Sequence, residues 1–153
     1  MTKAGLEGII GERKAVGKLL ELSYQVFEKT IDADAIDLVV RCKKGRNILF
    51  REIQVKYSKY YEKSKNYWFS IQASTYKPRD DYFFMFVCGD ENHIFIISSK
   101  ELKNYLKKML WHEKGNKWMI YIINRKNKWY FRTKSGRENI DITEYLNDFG
   151  QLK

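Results

Sequence analysis

A single aspartate interrupts a short apolar segment in the first third of the chain, and it constrains the fold more than any other residue. Asp37 stands within Ile36–Val40, where every other residue is apolar. Such a segment predicts a buried strand. A buried carboxylate costs several kcal/mol or more unless a cation or a set of hydrogen-bond donors offsets its charge. The fold must therefore bring such groups to Asp37.

A second predicted strand, 48–56, follows Asp37 closely and carries polar residues at alternate positions. Side chains alternate between the two faces of a strand, so three polar side chains share one face. They are Glu52, Gln54 and Lys56. A lysine in a strand usually points to solvent, but the aspartate in the neighbouring apolar strand favours a shared polar site.

The first thirty residues have apolar positions at helical spacing and an acid on the same stripe. The apolar positions are Ile9, Val16, Leu19, Leu20, Val26 and Phe27. Glu12 lies three residues after Ile9 and four before Val16, so a helix would direct its carboxylate toward the sheet. Taken alone, an inward glutamate is a satisfied buried acid or an interface residue as often as a catalytic one.

A helix acid, a strand aspartate and Gln-x-Lys on the next strand together resemble the core of the PD-(D/E)XK nuclease superfamily. The residues are Glu12, Asp37, Gln54 and Lys56, and glutamine takes the second acidic position. The order and spacing are similar to those of the small PD-(D/E)XK homing endonucleases of group I introns, and more distantly to Holliday-junction resolvases. The resemblance covers residues 5–100, although Ile36 replaces the proline of the Pro-Asp pair.

The resemblance implies a magnesium site, with manganese as the alternative ion. In it, Asp37, the Gln54 side-chain oxygen and the Val55 carbonyl would bind the metal, and Glu12 would hold a water or a second metal. Lys56 would orient the attacking water or stabilise the phosphate in the transition state. Glu52 shares the face of Gln54 but lies one residue pair, about 7 Å, away along the strand, so Gln54 is preferred.

The charge of the chain favours a polyanionic partner. The formal net charge is +10, and residues 103–137 contain eleven Lys and Arg against the single acid Glu113. A basic surface gives sequence-independent affinity for nucleic acid through counterion release, while a generally lysine-rich composition is the alternative explanation. The predicted DNA contacts are Lys59, Lys63, Lys77, Arg79, Arg125, Lys126, Lys128, Lys134 and Arg137.

The remaining patterns predict an α+β chain with a mixed central sheet flanked by helices. We expect a helix over 3–29, a hairpin of strands 36–42 and 47–57, strands 67–71, 82–88 and 93–97 with a turn at 89–92, and a helix from Ser98 to Trp111. A second hairpin, 118–123 with 128–133, and a short helix 141–149 close the chain. We predict one domain, 1–153, with a core of about 5–111 and a C-terminal addition of about 112–153.

Cysteine usage and hydropathy indicate where such a chain works. Cys42 and Cys88 lie in or beside apolar strands without nearby His or Cys, which favours reduced thiols in the cytoplasm, or at the nucleoid of a bacterium or archaeon. No apolar run is long enough to span a membrane, and no signal-peptide pattern follows Met1.

These observations together predict a magnesium-dependent endonuclease that cuts a specific double-stranded DNA site. Cutting two strands with one site per chain needs two copies, so we expect a homodimer or homotetramer. The alternatives are a junction resolvase or a restriction-type nuclease on the same core, and a non-catalytic DNA-binding module.

Overall fold

The computed structural model describes residues 1–29, 35–89 and 93–153, and it contains two helices and two β-sheets. The elements, in chain order, are α1 (Lys3–Glu21), β1 (Gln25–Glu28), β2 (Leu38–Lys44), β3 (Asn47–Ser58), β4 (Tyr60–Tyr61), β5 (Asn66–Gln72), β6 (Tyr82–Cys88), β7 (His93–Ser98), α2 (Ser99–Leu106), β8 (Leu110–His112), β9 (Lys117–Arg125), β10 (Lys128–Phe131) and β11 (Ile140–Asp141). The predicted α+β class is confirmed. Within the described residues, no helix is long and apolar enough to cross a membrane.

The first sheet is mixed and has the strand order β1-β2-β3-β6-β7. β3 and β6 are parallel, and the other neighbouring pairs are antiparallel. The β2–β3 hairpin turns at Gly45, whose φ of 62° lies in the left-handed region that glycine adopts without steric cost. Residues 90–92 of the predicted turn between β6 and β7 lie outside the described part of the chain.

The second sheet is antiparallel, with the order β11-β10-β9-β5-β4 and β8 on the side of β9. β5 pairs with β9 from Tyr67–Ile122 to Gln72–Lys117. The segment that we predicted as a C-terminal addition therefore shares a sheet with a strand of the predicted core. The division of the chain at residue 112 stays a prediction.

Two apolar layers hold the elements together, one on each face of the first sheet. One layer packs α1 against the sheet and includes Ala15, Leu19, Val40, Ile53 and Met85. The other packs the second sheet and α2 against β6 and β7 and includes Phe69, Phe84, Phe86, Phe95, Leu102 and Phe131. The continuous apolar sequence of β6 follows from this arrangement, because both of its faces are buried.

The first predicted helix is too long, because the chain turns at Leu22 and Ser23 and continues as β1. Ser23 has a φ of 63°, which ends the helix. The buried Tyr24 donates its hydroxyl proton to the Phe149 carbonyl at 2.8 Å and anchors the turn. Residues 25–28 then pair with β2, and this strand replaces the last helical turns that we predicted.

The two C-terminal helix predictions also need correction. α2 ends at Leu106, not at Trp111, because residues 110–112 add a strand to β9 and Trp111 packs edge-on against Trp118. The predicted helix 141–149 is instead a two-residue strand followed by 3-10 turns at Thr143–Tyr145 and Phe149–Leu152. The Asp141 carboxylate accepts from the Thr143 N–H at 2.9 Å, and this local hydrogen bond favours a turn over a helix.

Helix α1 lies close to β3 because residue 11 is glycine. A Cβ at Gly11 would lie only 2.5 Å from the Tyr57 Cβ, whereas a Cβ at Gly17 would meet nothing within 4 Å. This contact places the N-terminal half of α1 over the C-terminal half of β3.

We expect Gly11→Ala to lower the free energy of unfolding by about 1–3 kcal/mol, because the added methyl group overpacks the contact with Tyr57. Gly17→Ala is the matched control, and it should raise that free energy by about 0.5–1 kcal/mol, as alanine does in an open helical position. Thermal unfolding followed by circular dichroism measures both. Equal stabilisation by the two substitutions would show that α1 does not press on β3.

Candidate active site

The candidate site lies where β3 extends beyond β2. Among the described residues, the pairing of β2 with β3 ends at Leu38 and Ile53, whereas β6 accompanies β3 as far as Ser58. The edge of residues 54–58 that faces away from β6 is therefore open where β2 stops. An open strand edge presents backbone N–H and C=O groups that other partners must satisfy.

Asp37 caps this open edge. Its backbone N–H donates to the Ile53 carbonyl at 2.8 Å, and its carboxylate Oδ2 accepts from the Val55 N–H at 2.7 Å. The carboxylate takes the place of a neighbouring strand at Val55. Asp37 is buried, with 8% of its surface exposed, as its apolar sequence context predicts.

Lys29 supplies the positive charge that a buried carboxylate requires. Its Nζ lies 2.8 Å from Asp37 Oδ1, and its backbone N–H donates to the Asp37 carbonyl at 3.3 Å. Lys29 was not among the predicted site residues, because residue 29 falls within the helix expected from the sequence. Once β1 is known, the antiparallel register places residue 29 directly opposite residue 37.

Gln54 is buried beside Asp37 and accepts a hydrogen bond from Tyr82. The Tyr82 hydroxyl lies 3.2 Å from Gln54 Oε1 and 3.2 Å from the Ala35 carbonyl. Burial raises the pKa of Tyr82, and the charges of Asp37 and Glu52 raise it further, so the phenol keeps its proton. Tyr82 was also missed, because it opens an apolar run that reads as core alone.

Lys56 lies on the same face of β3 as Gln54 and is largely removed from water. Burial lowers the pKa of its ammonium; Asp37 opposes that shift and Lys29 adds to it. The Lys56 side chain is therefore half-buried beside the groove, whereas a strand lysine ordinarily extends into solvent.

Glu12 lies on the covered side of α1, as predicted, in the residue after the glycine that meets Tyr57. Its spacing of three from Ala15 and seven from Leu19, which are both buried, puts it on the inward stripe. The side chain is half-buried. The helix thus brings an acid to the face of the sheet on which it packs, whereas Gln54 and Lys56 lie in register with Phe84 and Phe86 of the opposite layer.

A groove of about 430 Å³ lies between the N-terminal end of α1, the C-terminal end of β3 and the strand β5. Its lining includes Glu7 and Gly8 from the helix, Val55 to Ser58 from β3, and Trp68 to Ser70 from β5. Lys56 borders the groove, so one member of the candidate site reaches the surface there. Glu7, which sequence reasoning did not select, lies 3.6 Å from Lys59 through its carboxylate.

Glu52, the alternative to Gln54, is bound by Arg79. The Arg79 Nη1 donates to the Glu52 carboxylate at 2.7 Å, and its Nε and Nη2 donate to Asp81 at 2.9 and 2.8 Å. The Arg79 guanidinium lowers the pKa of Asp81, and the two carboxylates raise the pKa of Arg79. Each of the three guanidinium nitrogens of Arg79 donates one hydrogen bond within the protein, and its contact with DNA stays a prediction.

The other predicted DNA contacts are surface residues in several regions. The exposed ones are Lys63, Lys77, Arg125, Lys126, Lys128, Lys134 and Arg137, and Lys59 is half-buried. Arg125 to Lys128 form the tip of the β9–β10 hairpin, where Lys126 and Asn127 have φ of 50° and 64°. These two left-handed residues make a tight turn that presents the basic side chains together.

This chain is similar to known proteins in its fold but not in its sequence. The sequence matches no known family model and no curated protein sequence. The solved structure of the bacterial homing endonuclease I-Ssp6803I is similar, with a TM-score of 0.68, 16% identity, and coverage of 99% of this chain and 92% of that chain. A nuclease from a fusselovirus is also similar, with a TM-score of 0.54, 16% identity, and coverage of 99% and 91%.

The chain therefore has a nuclease fold, and this fold resembles that of homing endonucleases. The expected resemblance is confirmed at the level of the fold. The roles of the site residues are part of the proposal that follows.

Proposed function

We propose that this chain is a magnesium-dependent endonuclease that hydrolyses phosphodiester bonds at a specific double-stranded DNA site. The observation that carries the proposal is the cluster of Asp37, Gln54 and Lys56 at the open edge of β3, beside a groove, in a nuclease-like fold. A buried acid, amide and lysine at one strand edge are costly for stability, and such clusters occur mainly at functional sites.

The oxygen atoms at this edge suit magnesium. Within the described residues, no group of three or more His, Cys, Asp or Glu is gathered as a metal site. Magnesium needs fewer, because it binds one or two carboxylates and keeps several waters or substrate phosphates. Asp37 offers the carboxylate and Gln54 Oε1 an amide oxygen. The Val55 carbonyl points to the same edge as the Val55 N–H that meets Asp37. Manganese has the same ligand preference.

Each residue has a distinct task in the proposed reaction. A bound magnesium ion would supply charge stabilisation at the phosphate and at the leaving oxygen. Asp37 and Gln54 fix the position of the ion, and Tyr82 holds the Gln54 amide through its hydrogen bond. Lys56 donates a hydrogen bond to the attacking water or to a phosphate oxygen. Its lowered pKa makes the neutral amine more accessible, and the amine can take up the proton that the attacking water loses. Glu12 holds a water near the scissile phosphate.

A cleavage assay separates this proposal from the alternatives. Purified protein is incubated with random-sequence linear duplexes and with four-way junctions, in magnesium and in EDTA. We expect magnesium-dependent cuts at a restricted set of duplex sequences. Preference for junctions would identify a resolvase, whereas binding without any cleavage would identify a non-catalytic module.

We propose that the hairpin tip and its basic neighbours contact DNA phosphates. Charge reversal of Arg125 and Lys126 to glutamate should weaken DNA binding and lower the slope of log affinity against log salt by roughly 0.9 for each lost contact. Arg13→Glu with Lys18→Glu is the control. This control changes the net charge by the same amount as the hairpin variant, but it does so on α1, where Arg13 pairs with Glu28 and Lys18 pairs with Glu21. Equal loss in both double variants would mean that overall charge, not the hairpin, drives binding.

We also propose that the active species is a homodimer or homotetramer, because two strands of one site need two active sites. The exposed Leu110 and Trp111 of β8 offer apolar surface at the second sheet, while Met119 on the neighbouring strand is buried. Light scattering at micromolar concentration, with and without duplex DNA, should give at least twice the monomer mass. A chain that remains monomeric on DNA and only nicks it would be a nickase.

A further inference from the structure

The ammonium of Lys29 occupies the position beside the Asp37 carboxylate that a metal ion would take. The ammonium Nζ is 2.8 Å from Asp37 Oδ1, and the side chains of Lys29 and Asp37 are only 28% and 11% exposed. The other carboxylate oxygen accepts from the Val55 N–H. The buried charge of Asp37 is thus balanced by a residue of the chain itself.

The position of Lys29 is fixed by the backbone and not by a flexible surface contact. Residues 29 and 37 face each other across the antiparallel β1–β2 register, and the Lys29 N–H bonds to the Asp37 carbonyl. The pair continues this register just beyond the two strands, and the Nζ–Oδ1 distance of 2.8 Å makes the ammonium the close partner of one carboxylate oxygen.

Lys29 and a divalent ion cannot share Asp37 without repulsion. A divalent ion at the carboxylate would add two further positive charges to a poorly hydrated site, where charges interact strongly. Either the ion or the Lys29 ammonium can be the close partner of Asp37.

We infer that Lys29 is a stand-in cation, which stabilises Asp37 in the metal-free protein and is displaced when a divalent ion binds. This inference rests on the proposed function, because it assumes a divalent ion at Asp37. It makes Lys29 a positioning residue that sets the metal affinity of the site. In this proposal the displaced ammonium moves toward the DNA phosphate.

Titration of magnesium chloride into the DNA-free protein, followed by calorimetry, tests the competition. Lys29→Met and Lys29→Gln should each lower the magnesium dissociation constant by about tenfold or more, since neither residue brings a competing charge. They should also gain more in melting temperature from saturating magnesium than the wild type does. Lys18→Met is the control and should change neither quantity, because Lys18 pairs with Glu21 on the outer surface of α1.

The outcomes distinguish this inference from the proposed function. Unchanged or weaker magnesium binding in both Lys29 variants, with magnesium-dependent cleavage by the wild type, would overturn the stand-in role alone. No magnesium binding and no cleavage by the wild type would overturn the proposed function as well. If the Lys29 variants fold only when magnesium is added, the ion replaces the ammonium as inferred. If they fail to fold even then, Lys29 has a purely structural role.

Discussion

Asp37→Ala should lower the rate of DNA cleavage by on the order of a hundredfold or more while DNA binding in calcium is retained. Among the described residues, Asp37 is the buried acid that meets both an open strand edge and a lysine. Its loss removes stabilisation that exists mainly in the transition state, so the catalytic rate falls more than the affinity does. Single-turnover cleavage and calcium-supported binding measure the two effects separately.

Folding must be controlled in this experiment, because Asp37 also serves the sheet. Alanine leaves the Lys29 ammonium and the Val55 N–H without their carboxylate partner. Asp37→Asn keeps an oxygen acceptor of the same shape and should show the same loss of cleavage. Asp80→Ala removes an exposed acid that pairs with Lys100, and it should leave cleavage unchanged. Full activity of Asp37→Ala would refute the assignment of the site.

The sequence was informative where one residue conflicts with its local pattern. Asp37 within an apolar strand, and Gln54 and Lys56 on one face of the next, were sufficient to find the polar cluster because burial of such groups is costly. Strand alternation alone puts Gln54 and Lys56 together. The β2–β3 hairpin then brings Asp37 opposite the end of β3, as the structure confirms.

The parts that the sequence did not reveal depend on long-range pairing. Lys29 reaches Asp37 only because β1 replaces the end of the predicted helix, and this choice depends on the β2 edge and on the Tyr24 anchor. Tyr82 meets Gln54 only through the parallel register of β3 and β6. Neither residue carries a local signal of its role, since a strand-flanking lysine and a core tyrosine are both ordinary.

The pairing of β5 with β9 also could not be predicted from local sequence, because it joins two distant segments of the chain. Tyr67 and Ile122 are far apart in sequence, and their strands look like separate hairpin components when read locally. Their union makes a second sheet that covers β6 and β7. The groove beside Lys56 has β5 as one wall, so this long-range pairing also shapes the candidate site.

Lys56→Met should reduce cleavage by about a hundredfold or more and yet raise the thermal stability of the protein. Lys56 is held in a place where burial lowers its pKa, which means that its ammonium is less favourable there than in water. Methionine fills a similar volume without that desolvation cost, and Lys29 still neutralises Asp37. We expect a gain of a few degrees in melting temperature, since about 1 kcal/mol corresponds to about 2–4 °C in a chain of this size.

The stability gain of Lys56→Met should also depend on pH in a defined direction. In the folded wild type the pKa of Lys56 lies below its unfolded value of about 10.4, so the unfolded state binds more protons between these two pKa values. The stability of the wild type relative to the variant therefore rises with pH across that interval. The gain of the variant is full below the lowered pKa and disappears above about pH 10.4. Lys103→Met, at an exposed position of α2, is the matched control and should show no such dependence. Equal stability of wild type and Lys56→Met at neutral pH would mean that the Lys56 ammonium is solvated in the folded protein. Full cleavage activity of the variant would mean that Lys56 takes no part in the reaction.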